Sequence, residues 1–361
     1  MENNFNTGGL LDLRSDKEQS RDFKHEEIVA SAAPVDWKKK TFEELRKFPQ
    51  RFQEQSFSCM AQSGSKNLGI SNTLVGDFQF KIVSALPVYR SRSNYPSGGM
   101  SLPDLFKALT SPLACFEEDL TSQYLSEPQM NAYNGFMSNK EVSDAKLLKA
   151  DSYFYFSTPI NIDEIAAVLA TGKGVQLMLF FNNLEYWKPV PEILDPNLDL
   201  YAVTTARHGV AAVDYLLMPD GQKALYIEDS AGNQTGINGE GRRYLTEKFL
   251  QARCFGAGYL VKKAVAETPK PKYNFTRALT YGMRNDVDVK ALQTILQYEG
   301  LFPKEVDGVA FPPTGNFLGM TADSLKKWQI VHGLNDFAGE MDMRKIRFGA
   351  KSIAIANKLY F

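Results

Sequence analysis

Phe48-Pro49-Gln50-Arg51-Phe52-Gln53-Glu54-Gln55-Ser56-Phe57-Ser58-Cys59-Met60-Ala61 is the stretch that decides how this chain is read. A free cysteine is by default a small buried hydrophobe. Cys59 departs from that default through its surroundings, with Gln53 six residues before it and Ser58 directly before it. Residues 60–68 are read as a helix following the thiol, although Ser63, Gly64 and Ser65 are poor helix formers. A thiol at a helix N-terminus sits where the dipole favours an anion, which is the setting of reactive cysteines. The one histidine in the middle of the chain, His208, opens the apolar segment 208–215 and supplies the base that a thiol nucleophile needs.

Length and charge narrow the classes. The 361 residues exceed one typical domain, and 43% hydrophobic composition is ample for packed cores. Lys and Arg (41) balance Asp and Glu (42), and no basic run is longer than 38–40, so a nucleic-acid partner is not expected. No apolar run approaches the ~20 residues that span a bilayer, and even 175–181 is interrupted by Gln176, so no membrane insertion is expected. Residues 1–19 have neither a basic nor an apolar signal region, so the chain reads as made in the cytoplasm without a signal peptide. Three cysteines make no disulfide framework, and Cys115 and Cys254 are read as core thiols. His25, His208 and His332 lack ligand partners at metal spacing, so neither a metal nor a cofactor is expected, and His332 is read as a core histidine.

Four segments follow along the chain. Residues 1–33 are polar and fit a propeptide, but composition favours a surface arm. Residues 34–263 read as one mixed unit, with a helix at 162–170, a strand at 175–181, and a buried hairpin of 209–217 with 224–228 around the turn Pro219-Asp220-Gly221. Helices on one side and antiparallel strands on the other give an α+β two-lobed domain with a cleft between the lobes. The Pro/Lys stretch 264–274 is a linker, and 275–361 is a small all-α domain. There Val289, Leu292 and Leu296 mark one helical face ended near Gly300, and Leu325, Trp328 and His332 mark another, capped by Thr321.

The front unit resembles papain-like cysteine peptidases in four places. The Gln53 to Cys59 spacing and Ser58 resemble the nucleophile segment, Pro34-Val35-Asp36-Trp37 the start of the mature enzyme, and His208 to Tyr215 the catalytic histidine segment. Ile227-Glu228-Asp229-Ser230-Ala231-Gly232 resembles the family's Asn-Ser-Trp-Gly motif. His208 lies within the roughly 130–150 residues expected after the cysteine, and Asp229 a little beyond them. The resemblance implies a papain-like fold with Cys59 as nucleophile, His208 as base and then acid, and Asp229 orienting His208. It also implies an oxyanion hole of the Gln53 side chain and the Cys59 N–H. An Asp accepts the imidazole N–H as an Asn does, so Asp229→Asn is expected to leave substantial activity. Ala231 stands where the family has Trp, which implies that the aromatic shield over the His–Asp contact is missing. Ser58, Gly98 and Gly99 are the substrate-binding candidates; the glycine pair is either a subsite strand or a plain turn. Ser56 and Ser97 stand where secreted members carry a disulfide pair, which implies a reducing compartment.

The tail resembles the three-helix type of peptidoglycan-binding domain. The residues concerned are Gly282, Val289, Leu292 and Gln293, then Gly315, Phe317, Gly319 and Thr321, then Trp328 and Gln329, with 339–361 longer than the family's ending. A groove beside Phe317 and Trp328 is the implied peptidoglycan contact. The resulting expectation is a cysteine endopeptidase, of bacterial or phage origin, addressed to the cell envelope and acting on a polypeptide or a peptidoglycan stem peptide. Its rivals are a non-enzymatic envelope-binding protein with a relic peptidase fold, and a cell-wall amidase of another Cys-His type.

Overall fold

The computed structural model describes residues 7–28, 35–38, 48–76, 80–231, 235–263, 270–303, 305–306 and 309–361. Pro34, Gly232, Lys39, Lys40 and positions 264–269 of the expected linker, all used above, lie outside the described residues. The chain divides into two compact units, Met1–Ala264 and Val265–Phe361.

The first unit is organised by the helix Cys59–Leu74, in which every residue from Cys59 to Asn72 is buried. A helix apolar on one face only would not be surrounded in this way. The small residues that weaken its propensity are what let neighbours close in: a Cβ on Gly64 would stand 2.5 Å from Leu105 Cδ1, and one on Gly69 3.0 Å from Lys81 O. The hydroxyls of Ser63 and Ser71 bond back to the carbonyls of Cys59 and Asn67, at 2.8 and 2.9 Å, so their burial leaves no orphaned donor. The helix therefore runs past residue 68, where sequence reading stops it.

Against it lies a six-stranded antiparallel sheet in the order Ser152–Tyr155, Cys254–Val261, Val175–Phe181, Ala206–Leu217, Lys223–Glu228, Arg242–Thr246. The strand Val175–Phe181 is apolar at every position but Gln176, because both of its faces are covered. Val175, Leu177, Leu179 and Phe181 pack with the helix Ile162–Leu169 and with Phe249 and Leu250, while Met178 packs with Met60 and Leu105. Gln176, on the central-helix side, donates to Ser63 Oγ at 2.8 Å. Each such fully buried aliphatic side chain contributes about 1.5–3 kcal/mol relative to exposure. Helix on one face and antiparallel sheet on the other make this unit α+β, and Cys59 starts the helix where it meets the sheet.

Residues 1–33 correct the sequence reading. Their described part, 7–28, is not a surface arm: Gly9–Leu10 pairs in parallel with Met100–Ser101, Lys24 bridges to Tyr155, and His25 is buried beside Phe156 and Tyr259.

The second unit is helical but not all-α. Helices Val287–Tyr298, Gly319–Val331 and Ala350–Tyr360 are joined by two short antiparallel pairs, Leu279–Thr280 with Arg347–Phe348 and Glu305–Val306 with Val309–Ala310. Thr321 lies inside the second helix, whose N-cap is Leu318, and its hydroxyl bonds Asn316 O. Phe317 and Trp328 are fully buried with Val289, Leu292, Leu325 and Phe348, so neither offers a surface to a ligand. His332 is part-exposed and pairs with Glu299 at 2.9 Å, so it is no core residue. The described end of the expected linker docks onto this unit, where Tyr273 N donates to Tyr360 O at 2.9 Å.

Candidate active site

Cys59 is the first residue of its helix, and His208 enters the sheet on Ala206–Leu217. Asp229 follows the strand Lys223–Glu228. All three are buried. The hairpin pairing of Ala211 with Glu228 brings the last two segments together, and His208 Nε2 meets Asp229 Oδ1 at 2.8 Å. The other ring nitrogen, Nδ1, is buried with no hydrogen-bond partner among the described residues. On the thiol side, the amide of Gly209, the residue after His208, donates to Cys59 Sγ at 3.5 Å. Gly8 N donates to the same sulfur at 3.3 Å. Both amides aim at one sulfur, which accepts them at the start of the helix.

Electrostatics bind the three together. Burial alone would lower the His208 pKa, but the charges of Asp229 and Cys59, with the Asp229 hydrogen bond, raise it to about 10. Because the folded value is raised, the stabilisation is complete below the ordinary value near 6.5 and is lost as pH rises through about 10. Asp229 resists burial through the charges of His208 and Arg243 and is held well below the usual carboxylate range. Its contribution is therefore present above the ordinary value and lost only in strong acid. Burial pushes the thiols of Cys115 and Cys254 the other way, to about 12, with Glu141 adding to the effect at Cys115.

Asp229 is tied from several sides. Oδ1 also accepts Ala231 N at 2.7 Å, and Oδ2 accepts Arg243 Nη1 at 3.0 Å, with both side chains fully buried. Gln53 is buried; its Oε1 accepts from Ser230 Oγ at 2.7 Å and its backbone N–H donates to Ser230 O at 2.8 Å. This links the nucleophile loop to the Asp229 loop. Its Nε2 donates to Ser56 O at 2.9 Å.

Two sequence expectations change here. Ser58 is fully buried and its hydroxyl lies 2.7 Å from that of Ser56, so it braces the loop rather than offering a substrate contact. The aromatic shield is not missing; it comes from another segment. Phe181, Tyr186 and Trp187 stand with ring centroids 6.2, 5.9 and 6.1 Å from that of His208. Nothing in the sequence around Tyr186 and Trp187 ties them to His208, because only the return of the chain after the strand Val175–Phe181 brings them there.

Gly98 and Gly99 do border an extended chain, but the occupant is the protein's own N-terminal segment. Met100 N donates to Gly8 O at 2.8 Å, and Gly9 and Leu10 pair with Met100 and Ser101. The close approach demands glycine: a Cβ on Gly99, which has φ +86°, would stand 2.9 Å from Gly8 O, and one on Gly8 1.9 Å from Phe57 O. A Cβ on Gly9 would stand 2.9 Å from His208 N, so the segment crosses directly over the candidate dyad. Beside it, Leu10 borders a cavity of about 160 Å³ whose walls include Leu102, Pro103, Met178, Phe255 and Ala257. The Gly8-Gly9-Leu10-Leu11 run was the available signal for this contact, since it pairs backbone access with apolar side chains. No groups of His, Cys, Asp and Glu suited to a metal ion occur among the described residues.

No family model and no curated sequence matches this chain. Solved structures do resemble it. A cysteine protease of Xylella fastidiosa, xylellain, superposes with a TM-score of 0.52 at 18% identity, covering 72% of this chain and 97% of that one. Digestive procathepsin L2 from the Tenebrio molitor larval midgut gives 0.54 at 15% identity, covering 71% and 78%. Procathepsin B S9 from Trypanosoma congolense gives 0.51 at 10%, covering 70% and 86%. The first unit thus has the papain-like fold.

Proposed function

We propose that the chain is a cysteine endopeptidase acting through Cys59, His208 and Asp229, with Gln53 and the Cys59 amide as oxyanion donors, and that it is held latent by residues 8–10. The observation that carries this is the buried His208, bonded through Nε2 to Asp229 while the amide next to it donates to Cys59 Sγ. In the reaction the Cys59 sulfur attacks the peptide carbonyl carbon and a C–S bond forms. His208 Nδ1 gives its proton to the departing nitrogen as the C–N bond breaks. Water, deprotonated by the same nitrogen, then cleaves the thioester and restores the thiol–imidazole pair. The cavity beside Leu10, lined by apolar Leu102, Met178 and Phe255 and by charged Asp12, Asp22 and Lys24, is the place offered to a substrate side chain. Intact Gln53, Cys59 and His208 in one buried assembly argue against a relic fold.

Thiol chemistry tests the site without a substrate. With the cleft opened by Gly8→Leu, iodoacetamide near neutral pH is expected to modify Cys59 while sparing Cys115 and Cys254, whose thiols carry almost no thiolate there. Equal modification of all three would remove the basis for the ion pair.

The finer proposal, resting on the resemblance of the tail, is that Val265–Phe361 addresses the enzyme to peptidoglycan. Its support is a unit with its own core, in which Gln293 braces the Gly315–Thr321 turn through Gly315 N, Asn316 O and Thr321 Oγ1. The contact surface must be other than the buried Phe317 and Trp328. A chain ending near Lys263 should cleave small peptides as the full chain does, and the tail alone should pellet with purified sacculi, since address raises local concentration without changing chemistry. Tail that stays in the supernatant would end the cell-wall proposal.

A further inference from the structure

The residue that nothing above assigns is Arg243. It lies on the strand Arg242–Thr246 with its side chain wholly buried, an expensive place for a guanidinium unless every donor is used. Nη1 donates to Asp229 Oδ2 at 3.0 Å and Nε to Tyr186 O at 3.1 Å, and Nη2 bonds Thr235 Oγ1. The guanidinium carbon also sits 4.7 Å from the Tyr186 ring centroid and 5.1 Å from that of Trp187, two of the rings around His208. Arg242, its neighbour, is spoken for by Glu228 and Glu240 and takes no part.

We propose that Arg243 is a positioning residue of the catalytic apparatus, neutralising and orienting Asp229 so that a carboxylate can serve where a neutral amide would need no cation. The inference rests on the cysteine-peptidase reading. Its reason lies in the cycle. When His208 gives up its proton, Arg243 is the cation left on Asp229 among the described residues, and a buried carboxylate without a partner would hold the proton back. Arg243 keeps the carboxylate paired in both states. The titratable groups around the pair are Asp229, His208 and Tyr186, with Cys59 beyond the imidazole; the Tyr186 hydroxyl is pushed well above its usual range by burial and by the Asp229 charge, and stays neutral.

The test uses the full chain carrying Gly8→Leu, with Arg243→Met, Asp229→Asn, the two combined, and Arg243→Lys. Arg243→Met is expected to lower kcat about tenfold, with KM little changed and the alkaline limb of the pH profile moved upward, because Asp229 then grips the imidazolium alone. Asp229→Asn should also lose about tenfold, since it strands a buried cation. The double variant removes both charges and should recover to within about threefold of the parent. Arg243→Lys keeps the charge but not the fork, and should fold with a reduced kcat. Unchanged kcat and pH profile in Arg243→Met or Arg243→Lys would overturn the proposal, as would losses that simply multiply in the double variant. Should Arg243→Met fail to fold, the charge-balanced double variant must fold and turn over, or the proposal is wrong. A parent chain without Cys59-dependent turnover would instead sink the peptidase reading; the positioning role is then decided by the pH profile of Cys59 alkylation, which must shift in Arg243→Met.

Discussion

A His208→Ala chain with its cleft opened by Gly8→Leu is expected to lose peptide turnover by on the order of 10³-fold or more, measured as kcat on a fluorogenic peptide. His208 is asked to do two things that no neighbour can take over. Its charge, favoured up to about pH 10, faces the Cys59 sulfur during the attack, and its Nδ1 proton must reach the leaving nitrogen. The surrounding groups, Phe181, Tyr186, Trp187 and Asp229, hold the ring but carry no transferable proton near neutral pH. Selective alkylation of Cys59 should fall with it. A variant that kept even a tenth of parental kcat would show that some other group moves the proton.

The Gly8→Leu substitution is itself expected to raise turnover of the full-length chain by about tenfold or more. A side chain at position 8 meets the Phe57 carbonyl at 1.9 Å, and backbone cannot swing aside as a flexible side chain can. Overpacking of this kind costs about 1–3 kcal/mol, and each 1.4 kcal/mol shifts the covered-to-open balance about tenfold. Undocking breaks the Gly8 bonds to Cys59 Sγ and from Met100 N and frees the edge at Gly98 and Gly99 for a substrate strand. The bonds of 12–26 to the body, such as Glu26 with Ser157, remain. If Gly8→Leu and the parent turned over peptide at one rate, residues 8–10 would not be what limits access.

Much of this was legible in the sequence because the chemistry is carried by local spacing. Gln53 before Cys59, a polar histidine heading an apolar strand, and the hairpin around Pro219-Asp220-Gly221 each announce themselves within a few residues. What stayed hidden depends on contacts across the fold. Arg243 carries no motif, and only strand alternation turns it inward onto Asp229. That contact also revises the expectation for Asp229→Asn: orienting an imidazole is within reach of an Asn, but stranding a buried guanidinium is costly. Trp187 replaces an aromatic residue that the local motif lacks, from a part of the chain with no motif at all. In the tail, helical periodicity marks the apolar faces, but Phe317 and Trp328 are the core those faces build and not a binding surface. Residues 1–33 are polar on average, and that average conceals Gly8 to Leu10, which lie over Cys59.

The most direct test of the central claim is digestion of an unfolded protein substrate by the Gly8→Leu chain beside the same chain carrying Cys59→Ala. Cleavage into discrete fragments by the first and none by the second is the expected result. An intact substrate in both, or equal cleavage in both, would contradict a peptidase built on Cys59.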